Sequence, residues 1–342
     1  MKVRSKAPLR LGLAGGGTDV SPYSDEFGGS VLNATIDMYA HAFIDTDSTT
    51  DLVEFEAKDI NEKDQFSTKS AISIDSGLRL HRAVYKRVVE QFNGGVQIPL
   101  KMITHSDAPP GSGLGSSSTI VVAMLEAYRQ LLSLPLGEYD LAHLAYEIER
   151  EDCQLIGGKQ DQYAATFGGF NFMEFYAEDR VIVNPLRIRR WIINELESSL
   201  LLFFTGASRD SSKIIGDQIK ALEKNTSKSL QAMHRVKESS FKIKELLFKS
   251  DIDGLAAEFK RAWEYKKSTS NSISNTMIDQ VEKTVMRAGA KALKVSGAGG
   301  GGFMMIVCEP ESKIDVARSL EQINGSLYKF KFTDEGAYSW TI

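Results

Sequence analysis

The spacing of apolar residues changes several times along this chain, and each change marks an element. From Val3 to Ala14 apolar side chains dominate and end in a glycine turn, which predicts a buried strand. Ser30 to Asp45 reads as a second long apolar strand region and Leu52 to Ala57 as a third. Leu80, Val84, Val88 and Phe92 recur at i, i+4 spacing, which predicts an amphipathic helix over 77–92 ended by the turn Asn93-Gly94-Gly95. A strand at Val96 to Thr104 follows, then helices over 117–132 and 137–152. Glycines 157, 158, 168 and 169 bracket a loop and a short helical stretch, and Phe170 to Tyr176 with Val181 to Leu186 form a hairpin.

The second half is mostly helical. From Ser208 to about Ala288, Leu230, Met233, Val236, Ile243 and Leu247 share one helical register, and Leu255, Phe259, Ala262 and Trp263 another. Strands at Lys291 to Val295 and Phe303 to Cys308 flank a glycine run. A helix (Glu311 to Gln322) and two strands (Leu327 to Phe332, Ala337 to Thr341) complete an α+β pattern. At 342 residues two domains are expected. The boundary falls between 185 and 200, giving domains 1–190 and 191–342, although no Pro/Gly/Ser linker marks it.

Composition removes several classes of function. A net charge of −4 argues against nucleic acid as a partner. The local excess of basic residues in 213–267 fits the solvated side of helices better than a polyanion site. Two cysteines, Cys153 and Cys308, provide neither a disulfide framework nor metal-ligand spacing, which suits a reducing cytoplasm. The sequence shows no signal peptide and no apolar run of about eighteen residues, so neither secretion nor a membrane partner is expected.

Three glycine-rich segments carry the candidate chemistry: Leu13 to Asp19, Pro109 to Ser118, and Val295 to Phe303. The second runs straight into an apolar helical segment, and a glycine loop at a helix N-terminus makes a phosphate cradle. The third nominally contains G-x-G-x-x-G at Gly297, Gly299 and Gly302. A strand follows it where a dinucleotide fold needs a helix. The P-loop pattern is absent. Glu149 and Asp161, with Lys159 near Asp161, add the carboxylates and cation that phosphoryl transfer uses. Taken alone, Glu149 also reads as a solvated helix face and Asp161 as a helix N-cap.

In order and separation the three segments resemble the motifs of the GHMP kinase superfamily, most specifically in Pro109-Pro-Gly-Ser-Gly-Leu-Gly-Ser-Ser-Ser118. The resemblance covers nearly the whole chain. It implies an α+β, two-domain GHMP kinase fold, with an N-terminal ATP-binding domain like ribosomal protein S5 domain 2 and a ferredoxin-like C-terminal domain. It implies that Pro110, Gly111, Ser112, Gly113, Leu114, Gly115, Ser116, Ser117 and Ser118 wrap the phosphates of ATP, with Mg²⁺ at Ser117 and Glu149. Asp161 would be the catalytic aspartate, orienting or accepting the acceptor proton, and Arg10 its basic partner.

Galactokinases carry Gly-Glu-His-x-Asp-Tyr where this chain has Gly15-Gly16-Gly17-Thr18-Asp19, so a different sugar is expected against Gly16, Gly17, Thr18 and Asp19. Gly299 and Gly300 of the third segment are expected at the substrate too. Leu11 to Asp19, Gly157 to Gln162 and Thr205 to Arg209 most resemble the D-glycero-D-manno-heptose 7-phosphate kinases of the superfamily, and fucokinase domains share part of the pattern. The implied partner is a small-molecule sugar phosphate. The implied reaction phosphorylates its anomeric hydroxyl to the 1,7-bisphosphate used for GDP-heptose, with Lys159, Arg209 and Lys213 as candidates for the phosphate already present. The alternatives are a free-sugar kinase and a non-catalytic sugar sensor. Retention of Arg10, Ser117, Glu149 and Asp161 argues against the sensor.

Overall fold

The computed structural model describes residues 1–47, 51–206, 211–223 and 227–342. In chain order the first half contains β1 (Lys2–Ala14), α1 (Tyr23–Phe27), β2 (Gly29–Asp45), β3 (Leu52–Ala57), β4 (Glu62–Ser67), α2 (Arg79–Phe92) and β5 (Leu100–Ser106). It continues with α3 (Ser116–Leu132), α4 (Glu138–Glu147), a π-helical turn (Ile148–Asp152), α5 (Gln160–Phe167), β6 (Phe170–Phe175) and β7 (Val181–Pro185). The second half has α6 (Arg190–Ser199), β8 (Leu200–Phe204), α7 (Ser211–Glu223), α8 (Ser227–Lys249), α9 (Ile252–Lys267) and α10 (Thr276–Arg287). Strands β9 (Ala290–Val295) and β10 (Phe303–Cys308), helix α11 (Lys313–Ser319) and strands β11 (Ser326–Tyr328) and β12 (Tyr338–Thr341) end it.

An eight-stranded sheet is built around β1 and β2. Their antiparallel register slips between Pro8 and Arg10, where proline has no N–H to give the ladder. The long β2 then serves two neighbours: residues 29–34 pair with β6, and residues 40–45 with β5. In its second part, side chains alternate between buried and half-exposed, as one covered face requires. The covered face carries Ala40, Ala42 and Ile44 and packs with Val121, Met124 and Leu125 of α3 and Val84 and Val88 of α2.

The second sheet has four antiparallel strands in the order β11-β8-β10-β9. Numbered within that sheet, this is 4-1-3-2, the ferredoxin-like order expected for the C-terminal half. A single apolar core joins the two sheets: Leu9, Leu11, Leu32 and Ile36 of the first share it with Leu202, Phe303 and Met305 of the second and with Phe259 of α9. Among the described residues no helix is long and apolar enough to cross a membrane.

Several boundaries differ from the sequence pattern. β12 pairs with β1, so the last strand belongs to the first sheet rather than to a domain made of residues 191–342. The strand expected over 327–332 stops at Tyr328, and Phe332 forms a bridge with Ile36 in the first sheet. β5 begins four residues late, because Pro99 cannot donate to a ladder. α1 and the charged strand β4 carry too few apolar residues to show a period.

Candidate active site

Three backbones meet between the two sheets: the end of β1 with its glycine turn, the loop 109–115 before α3, and the turn 296–302 between β9 and β10. They touch main chain to main chain. Arg10 N donates to Leu114 O at 3.2 Å and Phe303 N to Ser112 O at 2.9 Å. A Cβ on Gly297 would lie 2.6 Å from Gly113 O, and Gly297 has φ +77°, so this crossing needs glycine. A cleft of about 200 Å³ opens over the junction.

One end of the cleft is built for anions. α3 starts after Gly115, which is left-handed (φ 80°), and its first returning bond is Thr119 N to Gly115 O. The N–H groups of Ser116, Ser117 and Ser118 therefore lie outside the helix's own ladder, at its positive end. Gly111, Ser112, Gly113, Gly115 and these serines line the cleft. Beside them Glu149 projects from the π-helical turn that interrupts the helix expected over 137–152, a local insertion that re-aims side chains. Glu149 is 1% exposed and accepts from Gln162 Nε2 and, at 3.4 Å, from Ser117 Oγ. Burial raises its pKa above the usual carboxylate range, against the opposing pull of the Arg150 charge and of its hydrogen-bond donors.

At the centre, Arg10 ties the segments together. Its Nε donates to Asp161 Oδ1 at 2.7 Å, its second terminal nitrogen lies 2.6 Å from the same oxygen, and its first bonds Gly113 O (2.8 Å) and Ser296 Oγ (3.3 Å). Asp161, in the first turn of α5, lies against the start of α3: a Cβ on Gly115 would be 3.0 Å from its Cγ. The remaining end is formed by Asp19, whose buried carboxylate accepts from Gly17 N, Gln160 N and Gln160 Nε2, each at 3.1 Å. Gly17, Gln160, Gln218 and Lys266 line this part of the cleft with it.

Lys266 and Lys294 bring amino groups beneath the first glycine segment. Lys266 reaches from α9 to Gly297 O, and Lys294 from β9 to Gly12 O and Leu13 O, at 2.7 Å each. Both are buried and bonded to carbonyls. Desolvation, with Arg10 nearby, pushes Lys266 down to about 8 against an upward pull from Asp19. Burial and the neighbouring cations Lys266 and Arg10 hold Lys294 well below the ordinary lysine value.

Other expected residues lie elsewhere. Lys159 is 2% exposed, with its ammonium 2.7 Å from Asp179 and 3.7 Å from Asp25, outside the cleft lining. Gly299 and Gly300 pack on Ile273, whose carbonyl accepts from Gly300 N, and Gly297 with Ala298 lines the cleft in their place. Thr18 is buried with its hydroxyl on Gly15 O and Ser30 O, so it shapes the turn. Leu114 belongs to the apolar core. Pro110 is exposed beside the cleft without lining it, and Gly16 lies within reach of Lys266. Arg209 lies outside the described residues, and Lys213 is exposed.

Comparison with known proteins gives this arrangement its family. Residues 79–169 match the GHMP kinases N terminal domain, and residues 243–325 the GHMP kinases C terminal domain. Over 340 residues, 99% of each chain, the sequence is 44% identical to the D-glycero-alpha-D-manno-heptose 7-phosphate kinase of Campylobacter jejuni. The chain belongs to the GHMP kinases. A solved structure described as a D-glycero-D-manno-heptose 1-phosphate kinase from Bacteroides thetaiotaomicron superposes with a TM-score of 0.83, 44% identity and 99% of both chains covered. The bifunctional fucokinase/GDP-fucose pyrophosphorylase of Arabidopsis thaliana is 26% identical over 100% of this chain and 32% of its own. This GHMP kinase is accordingly a phosphotransferase with an alcohol group as acceptor and ATP as the family's phosphate donor.

Sequence reading missed Gln160, Gln162, Lys266 and Lys294. A signal existed for Lys266: it continues the buried register Phe259, Ala262, Trp263 at i+7, where a solvated lysine has no place. Lys294 similarly interrupts the buried run Ala292 to Val295.

Proposed function

We propose that this GHMP kinase transfers the terminal phosphoryl group of ATP to the anomeric hydroxyl of D-glycero-D-manno-heptose 7-phosphate, forming the 1,7-bisphosphate used for GDP-heptose. The observation that carries the reading is Lys266. It is a buried ammonium beside Gly16 and Asp19, lining the acceptor end of the cleft and bonded to a carbonyl rather than a carboxylate. Such a cation suits an acceptor that already bears phosphate. The Campylobacter relative, which carries this substrate in its name, supports the same choice.

In this reading the N–H groups at the start of α3 and the loop 111–115 cradle the phosphates of ATP. Asp19, fixed by three N–H donors, accepts from sugar hydroxyls. Asp161 takes the proton of the attacking hydroxyl as its oxygen bonds to the terminal phosphorus and the bridging oxygen leaves with ADP. Arg10 orients Asp161 through its two close contacts and keeps a positive charge close to the reacting group. Ser117 and Glu149 fit Mg²⁺, because they offer hard oxygen donors and the buried carboxylate has only neutral hydrogen-bond partners. When bound, that ion supplies neutralising charge on the phosphate oxygens.

The test is steady-state turnover with ATP and Mg²⁺ on heptose 7-phosphate, heptose 1-phosphate, L-fucose and galactose. Preferred turnover of heptose 7-phosphate to the 1,7-bisphosphate is expected. Preference for heptose 1-phosphate, the substrate in the Bacteroides description, would move the reacting hydroxyl to the other end of the sugar. Turnover of a free sugar alone, or sugar binding without turnover, would replace the proposal with the free-sugar kinase or the sensor.

A further inference from the structure

The face of the first sheet turned away from α2 and α3 carries a group of side chains that the phosphoryl-transfer site does not use. His41 on β2 and His105 on β5 stand directly opposite each other in register. Their rings stack with centroids 4.5 Å apart and planes 14° from parallel. Asp107 follows one residue beyond the end of β5, its Oδ2 3.9 Å from His41 Nε2. One nitrogen from each imidazole and one carboxylate oxygen all lie within 4.8 Å of one another.

The backbone holds this group in place. Asp107 N donates to Tyr39 O at 2.9 Å, and Tyr39 N donates back to Asp107 Oδ2 at 2.8 Å, so the aspartate is clamped on both sides. Among the described residues the His105 ring makes no hydrogen bond to the protein. A fourth group comes from the turn after β3, where Lys58 N bonds Thr104 O at 2.9 Å and brings Asp59 toward His105. The negative charge of Asp59 acts on His105, and its Oδ1 is buried with no hydrogen-bond partner. A buried carboxylate oxygen left so is costly unless something satisfies it. The nearby cation Lys6 lies 4.0 Å from the Tyr39 ring centre and is paired with Glu335 at 3.1 Å, so it is engaged elsewhere.

We propose that His41, His105 and Asp107, with Asp59 beside them, form a binding site for a zinc-class divalent cation. Two neutral imidazoles and carboxylate oxygen make a borderline donor set that suits Zn²⁺, Co²⁺ or Ni²⁺ and disfavours Mg²⁺ and Ca²⁺. The Asp107 carboxylate offsets charge on the ion directly, and Asp59 adds negative charge from nearby. Ligands about 2.0–2.1 Å from zinc in a tetrahedron stand roughly 3.3 Å apart. The present group must therefore contract by about 1.5 Å, within reach of rotation of the half-exposed His41 ring. The ion would tie β2 to β5 immediately before Ala108 and Pro109, at the root of the loop that lines the phosphate end of the cleft. Its role is to brace that root, remote from the transferred group.

Calorimetric titration of the metal-stripped full chain with Zn²⁺, in excess Mg²⁺ to fill the oxygen ligands of the cleft, tests the site. One Zn²⁺ per chain is expected, together with a raised melting temperature and visible Co²⁺ absorption from imidazole ligation. The double variant H41Q/H105Q should bind Zn²⁺ at least 100-fold more weakly while melting like the wild type without metal, and D59N should show an intermediate loss. If the double variant does not fold, H41Q alone serves, because that ring is half-exposed and its loss leaves the strand pairing intact. No Zn²⁺ binding at micromolar concentration by the wild type overturns the proposal. So does binding whose affinity in the histidine variants stays within twofold of the wild type.

Discussion

Gly158 offers a direct measurement of what the Asp19 carboxylate contributes. Its backbone lies outside the left-handed region, so replacement by alanine introduces no conformational strain. The added Cβ would lie 2.6 Å from Asp19 Cγ, and closer still to Oδ2, against an ordinary contact of 3.4 Å or more. The carboxylate must retreat by about 1 Å or more, which stretches its three 3.1 Å hydrogen bonds, from Gly17 N, Gln160 N and Gln160 Nε2, beyond useful length. Hydrogen bonds to a charged group contribute about 1.5–3 kcal/mol each. Their sum is a ceiling, because bonds in one network are not additive and the loop can relax. A loss of about 3 kcal/mol is expected, and the same displacement at the acceptor end should lower kcat/KM for the sugar about 100-fold. Denaturant unfolding, acceptor kinetics and calorimetric ATP binding measure the three quantities, with ATP affinity expected to change less than twofold. The decisive control is Gly158→Ala in an Asp19→Ala background, where the stability penalty should fall below about 0.5 kcal/mol. An undiminished penalty without the carboxylate would refute the account.

Asp161→Asn should lower turnover by about 10²–10⁴-fold, the range for loss of a general base, with ATP affinity nearly unchanged; a parallel loss of ATP binding removes the assigned role. Lys266→Met should raise the acceptor KM while sparing ATP. In the wild type, kcat/KM for the acceptor should fall as pH rises through about 8, where Lys266 loses its proton, and the variant should lack that limb. Because the folded pKa of Lys266 lies below the unfolded value of 10.5, unfolded chain binds the extra proton between about 8 and 10.5, and the lysine's destabilising effect fades as pH rises through that window. Glu149 has the opposite sign. Its folded pKa is raised, so metal-free protein should lose stability as pH climbs from the ordinary carboxylate value through the raised one, and Glu149→Gln should abolish that slope while weakening the Mg²⁺ dependence of turnover.

The sequence disclosed those parts of the fold whose local pattern and tertiary fate agree. The α2 register, the hairpin β6–β7 and the strands either side of the third glycine run follow from period alone, and the three glycine segments announced that backbones converge. Long-range partners were not legible. Nothing local says that β12 turns back to β1, because a short strand records its own period but not its neighbour. Lys159 illustrates the same limit at the site: its position near Asp161 suggested a shared cleft, yet the turn before α5 sends the ammonium to Asp25 and Asp179. Glu149 was picked out as a candidate and lines the cleft, but the π-helical turn that aims it was not legible, since one inserted residue in a helix leaves the apolar period nearly intact.

The apolar core common to both sheets limits how the cleft can open. A hinge between the halves would expose Leu9, Leu11, Phe303 and Met305 together and pull Lys294 from the carbonyls of Gly12 and Leu13. Each buried aliphatic or aromatic side chain brought to water costs about 1.5–3 kcal/mol, so jaw-like opening of the two halves is far too expensive for a catalytic cycle. α7 is held by less burial: it brings Ser212, Ile215 and Gln218 to the cleft, while among its described side chains only Ile214 and Gln218 are buried. The shared core therefore fixes the floor of the cleft, and α7 forms a more lightly anchored part of its rim.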